Sequence, residues 1–198
     1  GDFYIDPWQP VDKAVITHAH ADHARWGCRH YLCATEGKGV LQARLGSPVP
    51  IETLDYGEVK TVNDITLSLH PAGHILGSAQ VRIEKDGQVW VVSGDYKRET
   101  DPTCTPLEPL RCHVFISEST FGLPIFRWPD PEEVMADINA WWQSNRDQGR
   151  TSILFAYALG KAQRILAGLD RSIGPVLTHG AVEKINRCYR DLGITLPE

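Results

Sequence analysis

Three histidines and an aspartate fall within six residues, His18-Ala19-His20-Ala21-Asp22-His23, directly after the β-rich run Lys13–Thr17. No other feature limits the fold so strongly. A strand that runs into such a cluster carries it on a strand-end loop that leads into a helix. In extended chain, residues two apart point the same way. His18 and His20 can therefore converge on one metal ion, and the turn that follows aims Asp22 and His23 at a second. Imidazole and carboxylate suit zinc without any cysteine. Four side chains cannot close two metal sites, so later strand-end loops must bring more ligands to the same place. His74, in the segment 71–77 after the strand Ile65–His70, is the natural third ligand of the first ion. Asp95, in Ser93-Gly94-Asp95 after the strand Gln88–Ser93, is placed to bridge both.

The rest of the first part reads as short strands: Ile51–Leu54, Val59–Val62, Ile65–His70, Ala79–Glu84, Gln88–Ser93 and Val114–Ser117. Asp86-Gly87 between two of them is a two-residue hairpin signal. Thr35 is placed to cap a helix that runs to about Leu45 and stops at Gly46. After about Phe121 the rhythm changes. Asp130-Pro131 reads as an N-cap with Pro at the first helical position and Glu133 at the capping-box position, followed by Val134, Ile138, Trp141 and Trp142 at helical spacing. Then come a strand Ser152–Leu159, a helix opened by Gly160, a strand Pro175–Thr178 and a helix Ala181–Leu192 ended by Gly193. That alternation predicts an α/β arrangement with a parallel sheet in this second part.

Composition removes several classes. Hydrophobic residues make up 42% and charged residues 23%, which is globular rather than disordered or fibrous. No run approaches the roughly 20 apolar residues of a membrane helix, and no secretory signal is visible. Five cysteines without a CxxC pair point to a reducing, cytoplasmic setting with no disulfide framework. The net charge of −5 argues against binding nucleic acid by bulk charge, but it is uneven. Residues 1–143 hold 12 basic and 20 acidic residues, whereas Ser144–Arg190 hold 8 basic and 3 acidic. Lys161, Arg164, Lys184, Arg187 and Arg190 in that basic stretch read equally well as a phosphate-tracking face or as solvated helix faces. Lys97 and Arg98, just after Asp95, are candidates to meet phosphate or a solvated pair. His30 and His113 read as structural, His70 as facing the core, and Trp141 and Trp142 as core.

Asp6, the HxHxDH loop, the AGHILGSA segment and the SGDY segment resemble the first four motifs of the metallo-β-lactamase superfamily. Ser117-Glu118-Ser119-Thr120-Phe121-Gly122 resembles motif A of its β-CASP nuclease branch, and Tyr157–Gln163 a segment of the β-CASP domain. Within the branch, Gly1–Trp8 and Gly94–Arg98 are most similar to bacterial ligase-associated DNA exonucleases. The resemblance implies a metallo-β-lactamase αββα sandwich over 1–123, its N-terminal portion, and a partial inserted parallel α/β β-CASP domain over 124–198. It implies that His18, His20 and His74 hold one zinc, that Asp22 and His23 hold the other, and that Asp95 bridges. Asp6 would orient a ligand imidazole. Glu118 would orient a general-acid histidine and so join Asp22 and Asp95 as catalytic. Two zinc or manganese ions, about 3.5–4 Å apart, would activate a hydroxide for attack on phosphorus.

The activity so implied is hydrolysis of DNA phosphodiesters by an exonuclease in DNA repair, with a DNA ligase or helicase of the same system as partner and no membrane. The alternatives are a β-CASP ribonuclease of the same chemistry and an inactive scaffold subunit. Some of the family pattern is missing: no general-acid histidine motif follows Glu118, and the second ion is one imidazole short. The chain starts without Met, so an upstream piece is expected, and these 198 residues alone are expected to be inactive or weakly active. His179, in Thr178-His179-Gly180, is the open alternative for the last ligand.

Overall fold

The computed structural model describes residues 2–46 and 48–197, so Gly1 of the N-terminal motif and the terminal Glu198 lie outside the described residues. The chain forms two compact units, Gly1–Glu118 and Ser119–Glu198.

Among its described residues the first unit contains two sheets. Strands β1 (Tyr4–Ile5), β2 (Lys13–Val15), β3 (His30–Ala34) and β4 (Ile51–Leu54) form a sheet in that order, with every pair parallel. Parallel neighbours need crossover connections. The β2–β3 crossover carries the histidine cluster. The β3–β4 crossover carries a 3-10 turn at Thr35–Gly37 and helix α1 (Lys38–Leu45), which ends at Gly46. Thr35 thus opens the 3-10 turn rather than capping an α-helix.

Strands β5 (Val59–Val62), β6 (Ile65–Pro71), β7 (Ala79–Lys85), β8 (Gln88–Val92) and β9 (Val114–Ile116) form the second sheet. It is antiparallel except for the parallel β8–β9 pair. The β7–β8 hairpin turns on Asp86 and Gly87, both at positive φ, as the sequence pair predicts. Val15, Leu32 and Leu54 from the parallel sheet share one buried cluster with Leu67, Leu69 and Val81 from the antiparallel one. The two sheets therefore pack face to face, the inner layers of the expected sandwich. Among the described residues α1 is the only α-helix of this unit.

The parallel sheet thus lies in the first unit, not in the second as the sequence rhythm predicts. The second unit holds helices α2 (Pro131–Asp147), α3 (Lys161–Gly168) and α4 (Gly180–Asp191). An Asp130 carboxylate oxygen accepts from the Glu132 N–H at 2.7 Å, which caps α2. The expected strands Ser152–Leu159 and Pro175–Thr178 are not formed among the described residues. A strand exists only through a ladder with a neighbour, and neither segment has one. Phe155 and Leu177 are each 94% exposed. Trp141 is also exposed rather than core. Among the described residues no helix is long and apolar enough to cross a membrane.

Candidate metal centre

Three loops of the first unit build the site. The chain leaves β2 at Val15 and enters Ile16–Arg29, where the amides of His23 and Ala24 both bond the His20 carbonyl, at 3.2 and 2.8 Å. That turn brings the rings of His18, His20 and His23 together, with centroids 4.8 Å apart for His18–His20 and 4.1 Å for His18–His23. The second loop, residues 72–78, joins β6 to β7 and is anchored by the Ala79 N–H donating to the Thr17 carbonyl at 2.8 Å. The third leaves β8 through Ser93-Gly94-Asp95. Gly94 sits at φ 55°, and a Cβ there would come within 2.5 Å of Thr17 Oγ1. Only glycine lets this loop lie against Thr17 in that conformation.

The four donors His18, His20, His74 and Asp95 all lie within 4.8 Å of one another. His18 Nε2 is 3.0 Å from His20 Nδ1, and His74 Nε2 is 3.2 Å from the same atom. Asp95 Oδ2 lies 3.8 Å from His18 Nε2 and 3.6 Å from His74 Nε2. Donors held tetrahedrally at zinc's usual bond lengths stand about 3.3–3.4 Å apart, so these separations fit one ion. The other oxygen, Asp95 Oδ1, faces His23 Nε2 at 3.2 Å, and Asp22 Oδ2 lies 3.7 Å from the same nitrogen. Asp95 therefore presents one oxygen to each imidazole group. Asp22 is largely exposed.

Asp6 lies behind the cluster, at φ 42°. The Thr17 amide donates to its Oδ1 at 2.8 Å and the Thr17 hydroxyl to its Oδ2 at 2.6 Å. With that proton committed, the 3.1 Å contact between Thr17 Oγ1 and His18 Nδ1 is a ring N–H donating to the hydroxyl. His23 Nδ1–H donates to Asp6 Oδ2 at 2.7 Å. One carboxylate thus fixes the ring orientation of His23 directly and of His18 through a hydroxyl, leaving each Nε2 turned into the site.

The electrostatics suit a cation. Burial, then the neighbouring His23, His20 and His74, holds His18 well below the usual imidazole value. Burial and His20 bring His74 down to about 4 against the carboxylates of Asp95 and Glu118. Neutral imidazoles are what a metal requires. Burial opposes charge on His23, but its hydrogen bonds to Asp6 and Asp95 outweigh it and push it up to about 10. The hydrogen bond from His23 likewise lowers Asp95. A positive charge between two carboxylates is what a divalent ion would replace.

The remaining candidates are placed as follows. Glu118 is exposed, with its charge felt at His74. Lys97 Nζ is 3.6 Å from Asp101 Oδ2, an ion pair rather than a free phosphate contact, while Arg98 is exposed. His70 bonds Ser68 and Glu108, and His113 Nδ1 accepts from the Val89 amide. His179 lies in the second unit, where its Nδ1 accepts from the Ala181 amide at 3.1 Å and caps α4. Arg187 and Arg190 both face Glu183. The five cysteines are free thiols. Sequence reasoning gave Thr17 no role. Its one signal is a hydroxyl residue immediately before the first histidine.

No family model matches the chain. Curated proteins do. A probable DNA ligase of Opitutus terrae is 32% identical over 98% of this chain and 19% of its own length. An endoribonuclease YSH1 of Yarrowia lipolytica is 36% identical over 81% of this chain and 23% of its own. Cleavage and polyadenylation specificity factor 73 of Drosophila melanogaster is 30% identical over 80% and 24%. The chain spans about a fifth to a quarter of the length of these relatives.

Proposed function

Because this chain belongs to the metallo-β-lactamase superfamily, in its β-CASP nuclease branch, we propose that it is a metal-dependent nuclease that hydrolyses phosphodiester bonds. The convergence of His18, His20, His74 and Asp95 on one point, with the second Asp95 oxygen turned to His23, carries this reading. His18, His20 and His74 would hold one zinc or manganese ion, Asp22 and His23 would hold a second, and Asp95 would serve both. When bound, such ions supply an acidified water and offset charge on the phosphoryl oxygens.

The chain's own residues supply orientation. Asp6 and Thr17 keep the rings of His23 and His18 turned inward. The Asp95 carboxylate turns one oxygen toward His18 and His74 and the other toward His23. Glu118, the acidic residue of motif A, would orient a general-acid histidine, which the motifs of these residues do not themselves supply. Segments 1–123 and 124–198 are assigned to the metallo-β-lactamase part and a partial β-CASP part.

DNA is the proposed substrate and DNA repair the setting. Support comes from the probable DNA ligase that covers nearly all of this chain and from the N-terminal and SGDY segments. Exonuclease action and association with a ligase or helicase rest on the same likeness. The second reading, an RNA nuclease, is favoured by the endoribonuclease relatives.

End-labelled single-stranded DNA, duplex DNA and matched RNA, incubated with excess protein so that even slow cleavage registers, separate these readings. Shortening of DNA with metal, abolished by chelator and by His18→Ala, is the expected outcome. Faster loss of RNA moves the assignment to the second reading, and cleavage indifferent to chelator and to His18→Ala removes the nuclease reading.

A further inference from the structure

Beside the histidine loop the first unit carries a second constellation that the metal chemistry does not use. Trp8 is 76% exposed and Trp26 is 59% exposed. The Arg25 guanidinium lies 4.9 Å from the centre of the Trp8 ring, and that of Arg44 lies 4.9 Å from the centre of the Trp26 ring. The two pairs, with Ala21, line one cleft of about 310 Å³. That volume is at the lower end of small-ligand sites, roughly 300–1,000 Å³, so a longer strand would extend beyond it over the exposed indole faces.

The cleft is tied to the metal centre by the chain itself. Ala21 stands between His20 and Asp22, Trp8 two residues after Asp6, and Arg25 two residues after His23. Asp6 and His23 are joined by the 2.7 Å hydrogen bond already described, so the residues that carry Trp8 and Arg25 share one anchor. The loop below is pinned as well. The buried Tyr31 hydroxyl donates to the Arg25 carbonyl at 2.8 Å and accepts from the Cys28 amide at 3.1 Å, which sets Trp26 between two fixed points.

Charge gives the cleft its chemistry. Among the described residues neither Arg25 nor Arg44 forms an ion pair with a carboxylate, and the Nε of each is buried without a hydrogen-bond partner. Two arginines that face no carboxylate among the described residues, in a unit where acidic residues outnumber basic ones, are available to an anion. Two broad exposed indoles beside them offer faces to a flat ring. Arginine over tryptophan leaves most of each indole open at these exposures.

We infer that Trp8, Arg25, Trp26 and Arg44 form a subsite that holds an unpaired stretch of the nucleic acid strand next to the metal centre, with bases stacked on the indoles and phosphates on the guanidinium groups. The inference rests on the nuclease reading and narrows it. A stacking platform takes only bases released from a duplex and is indifferent to their identity. Stacking on an indole and phosphate pairing with a guanidinium need no 2′-hydroxyl, so DNA and RNA strands are held alike.

The test is binding rather than cleavage, with the full chain in chelator so that substrate survives. A labelled twelve-residue oligothymidylate is titrated by fluorescence anisotropy against wild type, Trp8→Ala, Trp26→Ala and the conservative Trp8→Phe. Each alanine variant should bind about tenfold more weakly, within the roughly 5–150-fold expected for one stacked base, while the phenylalanine variant retains most of the affinity. A duplex of the same sequence should respond much less. Arg25→Gln and Arg44→Gln should each lower the salt dependence by about one phosphate contact. Both tryptophans are exposed, and unchanged thermal midpoints and metal content of the variants serve as the folding control.

Equal binding by wild type and both alanine variants overturns the subsite, as does an equal loss for single strand and duplex. Neither result touches the nuclease reading, which stands or falls on chelator-sensitive cleavage. Wild type that neither binds nor cleaves any nucleic acid overturns both.

Discussion

Replacing Thr17 by valine removes one hydroxyl and almost no volume, and it separates the two halves of the metal centre. The hydroxyl donates to Asp6 at 2.6 Å and accepts from His18 Nδ1 at 3.1 Å. Both Thr17 and His18 are buried, at 1% and 3% exposure, so no water replaces the lost partner. A buried donor left unmade costs about 1–3 kcal/mol. The His18 ring also loses the contact that orients it. Losses of this kind lower metal affinity about 10–100-fold, or about 1.4–2.7 kcal/mol.

Asp6 keeps its 2.7 Å bond to His23, so the second ion should be much less affected. Zinc competition titration against a chromophoric chelator reads the two affinities. Thr17→Val should weaken one ion about 10–100-fold and leave the other within about threefold, whereas Thr17→Ser retains both. Asp6→Asn should weaken both. Thr17→Val that titrates like wild type, or that loses both ions together, would refute the relay from Asp6 through Thr17 to His18.

Other outcomes follow from the same geometry. Elemental analysis of metal-loaded protein should give close to two ions per chain, falling to at most one in His74→Ala. Removal by chelator should lower the thermal midpoint, since an ion that binds only folded protein stabilises it by mass action. Glu118→Gln should keep the metal content and lower turnover about 10²-fold or more, and unchanged turnover removes Glu118 from the mechanism. Gly94→Ala meets a positive φ of 55° and Thr17 Oγ1 at 2.5 Å. It should cost about 1–3 kcal/mol in chemical denaturation and weaken metal binding. An alanine variant as stable as wild type would show that the loop has room to relax.

The ligand loops were legible in the sequence because metal chemistry is local: His18, His20, Asp22 and His23 share one loop, and His74 and Asp95 each follow a strand, the first read from the alternation of Ile65, Leu67 and Leu69 and the second from the apolar run Val89–Val92. The hairpin at Asp86-Gly87 was legible because its backbone demands positive φ. The direction of β1–β4 was not. Strands of two to five residues carry no pattern that separates parallel from antiparallel, and the crossovers between them hold a loop and one short helix instead of regular βαβ units. Residues Ser152–Leu159 and Pro175–Thr178 have strand composition, but composition cannot supply the neighbour that turns an extended segment into a ladder. Trp8, Arg25, Trp26 and Arg44 follow no period. Turns and crossovers bring them together, and only the three-dimensional structure reveals the set.

The division of the ligands between two sheets has a kinetic consequence. His18, His20 and His23 hang from the parallel sheet, while His74 and Asp95 hang from the antiparallel one. Strands β5–β8 form a meander of sequence neighbours whose loops are cheap to close, whereas β1–β4 must close longer crossovers. The donor set is complete only after both sheets exist and have docked, late on the folding path. We therefore expect zinc to act as a latch rather than a template: stopped-flow refolding should proceed at the same rate with and without the ion, and unfolding should slow when it is present. Faster refolding in zinc would mean instead that the histidine loop gathers its ligands before the sheets meet.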